Sequence, residues 1–391
     1  MARTAQDDTT TPTLYLAFEL GGSKWLLGFG AQIADSPRRR TLRVADGAVM
    51  LARVREEIAA AKARFGLPPD APVVSVYEAG RDGFWLHRGL EAMGVQNLII
   101  EPASLKVDRR ARRAKTDQLD LAELLHNLFC HHRGERVWRV VRVPTPAEED
   151  LRRISRRRDS LSKEKTSQTV RIKSLLATQG IRLKTTQITD CYVDLLKRPD
   201  GTPLLEHLVS ELKSELARLR LVRKQLAEVK KLQKALLGQK KPASKTVKCA
   251  QRLTLLKGVG PISAFVLSAE FFGWREFKNR RELGSLAGLT DSPWKSDGID
   301  RQQGISKAGN RRVRTTMVEL AWNWLRWQPE SALAKWFYAY SGTGKRKRLR
   351  KVAIVALARK LLVALWHYLD HGVVPEGAVM KPSSDAKTAA A

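Results

Sequence analysis

Four carboxylates stand where the hydropathy pattern places strand and helix ends. Glu19 lies near the end of an alternating run, Leu14, Leu16, Phe18 and Leu20, and Glu78 closes a second apolar strand, Val73 to Tyr77. Asp117 and Asp120, three residues apart at the start of a helix, share a face. If the two strands are neighbours, all four acids gather at one sheet edge, where their repulsion favours bound Mg²⁺ or Mn²⁺. Two such ions about 3.5–4 Å apart can stabilise both the attacking and the leaving oxygen of a phosphoryl transfer. Each acid alone has an ordinary explanation, as a strand-end glutamate or a first-turn acid answering the helix dipole. Together, in this strand–strand–helix context, they point to metal-assisted phosphate chemistry.

A second constellation lies past residue 250. Leu256-Lys-Gly258-Val-Gly260-Pro261 before an apolar helix has the form of a helix-hairpin-helix turn, whose glycines let backbone N–H groups approach a DNA phosphate. A simple helix–helix turn has the same form. Ala287-Gly-Leu-Thr290 leads into a polar loop with Ser296 and Asp297, which ends in Gly304-Ile-Ser-Lys307-Ala-Gly-Asn310. A basic helix with Arg311, Arg312 and Arg314 follows. A serine in a Gly-rich loop beside arginines is a candidate nucleophile toward phosphorus; it is also a common turn or cap residue. Lys106, Arg109, Arg110, Arg112, Arg113 and Lys115 crowd upstream of the Asp117 helix, as a loop gripping a backbone or a solvated one. Arg152 to Arg158 and Lys345 to Lys351 are further basic runs suited to phosphate contact or to a solvated helix face. Trp322, Trp324, Trp327 and Trp336 fit core packing better than base stacking. No GxxxxGK[ST] run is present, so ATP is not implied.

The elements that must hold these residues are legible. Positions 14–135 form an α/β unit: strands at Leu14 to Leu20, Trp25 to Phe29 and Arg40 to Val44, then helices and strands in alternation to a closing helix, Thr116 to Phe129. That is the order of an RNase H-like domain. Thr145-Pro-Ala-Glu148 is a capping box opening a helix that runs to Thr178, with Gly180 as its stop. A second long helix, Pro203 to Leu237, has heptad spacing at Leu205, Leu212, Leu219 and Leu226, with Leu208, Val222, Val229 and Leu236 between. The pair, positions 145–240, predicts a coiled-coil connector, as an intersubunit arm or an ordinary helical bundle. Positions 250–372 are mainly helical, and 1–13 and 373–391 are expected to be disordered.

Composition narrows the partners. The chain has 391 residues and carries 71 Lys+Arg against 40 Asp+Glu, a formal charge of +31. A compact protein with that excess calls for a polyanion, and nucleic acid is the natural one. The 43% hydrophobic content and ten tryptophans require real cores. Cys130, Cys191 and Cys249 form no CxxC pattern, which speaks against a zinc site and fits a reducing cytoplasm. The polar N-terminus does not read as a signal peptide. Val352 to Trp366, broken by Arg359 and Lys360, is too short to span a bilayer, so no membrane partner is expected.

Five blocks in this order resemble the DEDD transposases of the IS110 (Piv-type) family of insertion sequences, over nearly the whole chain. They are Glu19-Leu-Gly-Gly-Ser-Lys24-Trp25, Glu78-Ala-Gly80, Lys115-Thr-Asp117-Gln-Leu-Asp120, Leu255-Leu-Lys-Gly-Val-Gly260-Pro, and Ala287-Gly-Leu-Thr290 through Gly304 to Asn310. The resemblance implies a RuvC-like N-terminal domain, a coiled-coil connector and a C-terminal transposase domain, in a bacterial cytoplasmic enzyme. It implies a serine that attacks DNA and becomes covalently linked, and an acidic tetrad of Glu19, Glu78, Asp117 and Asp120 that completes a composite site across subunits of a dimer or tetramer. It also implies a structured noncoding RNA that chooses the DNA sites. The serine falls best on Ser296, with Ser292 and Ser306 as alternatives. Arg109, Arg110, Arg112, Arg113, Lys115, Gly258, Gly260, Lys307, Arg311, Arg312 and Arg314 are the expected nucleic-acid contacts. Two features depart from the family pattern: the first acid is Glu19 where Asp is usual, and Ser296 is followed by Asp297 and Gly298. The rival readings are a RuvC-type nuclease that uses water and leaves no covalent adduct, and a non-enzymatic nucleic-acid-binding protein.

The charge alone generates a test. Affinity for DNA or RNA is expected to fall steeply with salt, the slope of log K against log [salt] scaling with the number of phosphates neutralised. A flat titration from low to physiological ionic strength would contradict it.

Overall fold

A computed structural model describes residues 12–33, 37–105, 116–186, 189–296, 299–342 and 347–381. The basic loop with Lys106, Arg109, Arg110, Arg112, Arg113 and Lys115 lies outside the described residues, as do Asp297, Gly298, Lys345, Arg346 and both ends of the chain. The chain divides into two compact units, 1–143 and 144–391.

The first unit is a mixed five-stranded sheet of order β3-β2-β1-β4-β5, consistent with an RNase H-like arrangement. Strands β1 (Leu14–Leu20), β4 (Val73–Glu78) and β5 (Gln96–Ile100) run parallel, while β2 (Lys24–Gly30) and β3 (Arg38–Arg43) extend the sheet antiparallel. Helices α1 (Gly47–Arg64) and α2 (Trp85–Ala92) bury Met50, Val54, Leu86 and Leu90 against Leu16, Phe18, Trp25 and Phe29 on one face. On the other face α3 (Asp117–His132) sets Leu121, Leu124, Leu125 and Leu128 against Ala17, Val74 and Val76. Gly28 and Gly30 make that approach possible. A Cβ on Gly28 would stand 3.0 Å from the Leu121 side chain, and one on Gly30 3.2 Å from the Phe129 ring.

The second unit begins with two long helices, α4 (Pro146–Ala177) and α6 (Glu206–Leu237), joined through a short α5 (Asp190–Asp194). The capping box that opens α4 is formed: Glu148 N donates to Thr145 Oγ1 and Thr145 N donates to the Glu148 carboxylate. Ile172 and Leu176 meet Leu212, Leu216 and Leu219, whereas Leu161 meets Val222, Leu226 and Val229, so the two helices are antiparallel. The heptad reading needs one correction. Leu205 lies outside the helix as its cap residue and is 66% exposed, so the seam begins at Leu208 and includes Leu216.

The remainder is helical: α7 (Lys245–Thr254), α8 (Pro261–Leu267), α9 (Arg280–Leu286), α10 (Arg311–Trp327), α11 (Ala332–Ser341) and α12 (Lys347–His371). The polar loop predicted around Ser296 is instead a β-hairpin, β6 (Asp291–Ser296) with β7 (Ile299–Ile305). Its strands carry few apolar residues, so no period-2 hydropathy marked them. The α12 helix also corrects the sequence reading. By length and composition it could cross a membrane, its most apolar 18-residue stretch having a mean hydropathy of 1.6, yet 56% of that stretch is buried. Ala353, Ile354, Leu357, Leu361 and Leu365 place it in the centre of the core.

The run Arg152 to Arg158 departs most from expectation, because much of it faces inward. A π-helical turn after α8, Ser268–Phe272, holds the wholly buried Glu270. Arg156 grips that carboxylate with two hydrogen bonds, Nε at 2.8 Å and Nη2 at 3.0 Å. Arg152 and Arg312 lie at 3.6 and 3.4 Å, and Arg312 also pairs with Asp159. Burial alone would push the Glu270 carboxyl up; Arg156, Arg152 and Arg312 outweigh it and hold the group below the ordinary value of 4.5.

A carboxyl depressed in the folded state contributes stability above its unfolded pKa and loses it as pH falls through the folded one. Glu270→Gln is therefore expected to cost about 3 kcal/mol near neutral pH, the scale for breaking a buried pair. Urea unfolding at a series of pH values should show the gap between wild type and variant narrowing below pH 4.5. Equal midpoints at neutral pH would contradict the role given to Glu270.

Candidate active site

Within the first unit, β1 and β4 are parallel neighbours with Phe18 opposite Tyr77. Glu19 and Glu78 are the next residue of each strand, at one level of the same sheet edge. Strand alternation puts both on the α3 side, since Ala17 and Val76 pack against that helix. The two line a cavity of about 310 Å³ with Gly22, Gly80, Arg81 and Asp82. Passing from Phe129 over Gly30 to Leu121 over Gly28, α3 moves toward the Leu26–Glu19 pair, so its N-terminus approaches the acidic edge. Thr116 caps it, accepting from Leu119 N. Asp117 and Asp120 continue the stripe of Leu121 and Leu124 one turn beyond the apolar contact. All four carboxylates thus lie toward one end of the sheet–α3 packing. Among the described residues, however, no three His, Cys, Asp or Glu side chains are close enough to hold a metal ion.

Asp82 belongs to this edge and was passed over in the sequence. It lines the cavity with Glu19 and Glu78 and stands 3.8 Å from the Arg81 guanidinium. The signal was the Gly80-Arg-Asp-Gly83 turn directly after the strand.

In the second unit two motif blocks interlock. A Cβ on Gly288 (φ +66°) would stand 2.1 Å from the Ala308 carbonyl oxygen, and one on Gly309 (φ +96°) 2.4 Å from that of Leu286. The bare backbones cross there. Asn310 N donates to Leu286 O and Ser306 N to Thr290 O, both at 2.8 Å. Asn310 Oδ1 accepts from Arg312 N and Val313 N to cap α10, and Arg314 donates to Lys307 O at 2.9 Å. The base of the hairpin is thereby tied to the start of α10. Ser296, the last residue of β6, pairs with Ile299 at the far end. Ser306 sits in the clamp and accepts from Thr290 Oγ1 at 3.2 Å, while Ser292 lies at the irregularity between Asp291 and Pro293.

Comparison with known proteins decides the family. A family model described as "Transposase IS116/IS110/IS902 family" matches residues 250–335, and the DEDD transposase model of the IS110 type matches 43–179. The chain is 42% identical to y4rJ, a protein of Sinorhizobium fredii named as a transposase, over 382 residues covering 94% of each chain. It is 24% identical to the transposase for insertion sequence element IS1328 of Yersinia enterocolitica, over 78% of this chain and 85% of that one. The chain belongs to the IS110 family of DEDD transposases. It is a DNA phosphoryl-transfer enzyme, and its DEDD domain implies use of a divalent metal.

The matched spans of the transposase contain Glu78, Asp117, Asp120 and the hairpin; Glu19 lies before them. Glu19, Glu78, Asp117 and Asp120 offer oxygen only, the donor chemistry a hard divalent cation requires. A second basic feature of the transposase is a groove of about 920 Å³, in which Gly258, Gly260 and Pro261 lie with Lys163, Lys257 and Arg311. Arg312 also lines it, with its guanidinium tied to Asp159 and Glu270; Arg314 is held by the Lys307 carbonyl. Of the three α10 arginines expected to contact nucleic acid, Arg312 and Arg314 thus brace the scaffold, and Arg311 is exposed. Trp324 is wholly buried, whereas Trp322 and Trp327 are half exposed beneath Arg350 and Lys257.

The interlock gives a comparison between glycines. Gly304 also has a positive φ (+86°), but nothing lies within 4 Å of its Cβ position. Gly304→Ala is expected to cost about 1–2 kcal/mol of backbone strain. Gly288→Ala and Gly309→Ala must displace a carbonyl as well and should cost more. Thermal unfolding that ranks the three alike would contradict the interlock.

Proposed function

We propose that this transposase cuts and rejoins DNA through Ser296, with Glu19, Glu78, Asp117 and Asp120 holding Mg²⁺ or Mn²⁺. The observation that carries the reading is the hairpin itself: two motif blocks fix its base, and Ser296 stands at its turn. A nucleophile needs a defined position more than a reactive neighbourhood, and a clamped hairpin supplies one. The Ser296 hydroxyl attacks the scissile phosphorus; the new O–P bond forms as the bond to the leaving strand oxygen breaks, and the hydroxyl proton ends on that oxygen. Attack by a strand hydroxyl on the phosphoserine reverses the bookkeeping of bonds, so rejoining needs no ATP. When bound, the divalent ion supplies charge neutralisation at the phosphate. Arg311 and the groove beside Gly258 and Gly260 hold the backbone of DNA.

The same reading assigns part of the excess basic surface, with the loop of Arg109, Arg110, Arg112, Arg113 and Lys115, to a structured noncoding RNA that selects the site. It also makes the working form a homo-oligomer, in the bacterial cytoplasm. A recombination assay on donor and target DNA tests the chemistry. Asp117→Asn, Asp120→Asn and Ser296→Ala should each abolish rejoined product, while DNA affinity stays within about twofold of wild type. Wild-type recombination by either Asn variant would make the tetrad structural. Continued DNA cutting by Ser296→Ala would turn the reading toward a nuclease that uses water.

A further inference from the structure

A large depression on the second unit is unused by any step above. The base of the β6–β7 hairpin, α9, α11 and α12 surround a groove of about 1480 Å³. Its floor is apolar, with Leu289, Ile305, Leu333, Val355 and Val363. Its rim is basic, with Arg280, Arg281, Arg348, Lys351 and Lys360. The acid in the lining, Asp291, is already paired with Arg359 at 3.0 Å. Among the described residues Arg280, Arg281, Arg348 and Lys351 have no acidic partner. Tyr340 stands at the groove, half exposed, its ring stacked on Trp336 at 5.4 Å and 17°. Lys360 lies over Trp336 at 4.7 Å, so the aromatic pair is braced from within.

We propose that this groove seats a single strand of DNA. Arg280, Arg281, Arg348 and Lys351 hold its phosphates, and a base stacks on Tyr340. The charge pattern selects a polyanion: five cations surround the floor and the acid among them is neutralised. The floor selects a single strand, because a duplex turns its phosphates outward and would leave apolar surface uncovered, whereas unpaired bases lay their faces on it. A second copy of this chain is a poor occupant, since each copy carries +31. The choice of DNA over RNA rests on the proposed function, because Asp291, Gly304 and Ile305 of the hairpin that ends in Ser296 form one wall. A strand lying here passes along the base of that hairpin.

The test uses the full-length protein and fluorescence anisotropy with a labelled mixed-sequence 20-nucleotide DNA strand, the matching RNA and the matching duplex. Arg348→Ala/Lys351→Ala removes two exposed cations from α12. It should weaken single-stranded DNA binding about tenfold and lower the salt slope by about 1.4, at roughly 0.7 per phosphate contact. Lys230→Ala/Lys231→Ala removes the same charge from exposed positions on α6 and should leave the slope unchanged. Tyr340→Ala should weaken binding fivefold or more with the salt slope unchanged, by roughly the amount one stacked base contributes, and Tyr340→Phe should restore it. Thermal midpoints check the fold; should Tyr340→Ala lower its midpoint, the α12 double variant and its slope decide. Unchanged affinity and slope in that double variant would overturn the proposal. So would losses confined to RNA or to duplex, or equal losses from the α6 control. Ser296→Ala should keep full affinity for the strand. The seat therefore stands or falls by binding, and the serine nucleophile by adduct formation.

Discussion

Where the arginine-bearing faces of α4 and α10 meet, one buried acid holds them together. Glu270 is that acid for α4 and α10: Arg152 and Arg156 reach it from one helix and Arg312 from the other. The π-turn that carries it widens the backbone just after the apolar α8, which lets one side chain enter between two cationic faces. Without the carboxylate, three guanidinium groups would crowd one partly buried site with no counter-charge at its centre, and their repulsion would loosen the contact between the helices. The consequences reach the functional elements directly. The first residues of α10 carry the Asn310 cap and the clamp on the hairpin, so whatever fixes α10 also fixes the base of the hairpin.

The first unit meets a different constraint, that of bringing a helix close to a sheet. Gly28 and Gly30 remove side chains from β2 where α3 crosses, and the apolar stripe of α3 settles onto Ala17, Val74 and Val76. The stripe ends one turn before the helix does, and Asp117 and Asp120 occupy that turn. The strands behave alike: Glu19 and Glu78 take the α3-facing positions just past the last packed residues. Carboxylates there are held by a rigid scaffold without being driven into the core. That placement leaves carboxylate oxygens at the sheet edge, as the proposed metal site requires.

Much of this was legible in the sequence, for identifiable reasons. The buried strands β1 and β4 and the amphipathic α1 and α3 carry strong periodicity, and the Thr145–Glu148 capping box fixes a helix start by local hydrogen bonding alone. The two C-terminal glycine-bearing blocks stood out in the sequence as flanks of the Ser296 segment, though only the structure shows that they approach each other through Gly288 and Gly309. What stayed hidden depends on distant partners or on polar strands. Nothing local distinguishes Arg152 and Arg156, which turn inward to Glu270, from Arg153, which is 73% exposed. The hairpin around Ser296 has too few apolar residues to show alternation. Arg359 and Lys360 interrupted the hydropathy of α12 because they serve the lining of a groove, not because the helix ends.

In the proposed reaction the cut strand is joined to Ser296 through phosphorus, and that link can be located chemically. The transposase is incubated with donor and target DNA and a divalent metal, quenched by denaturation, digested with nuclease and protease, and its peptides are read by mass spectrometry. One peptide is expected to carry a residual nucleotide, with fragmentation placing the modification on Ser296. Modification of Ser292 or Ser306, or strand cleavage with no modified serine at all, would contradict it.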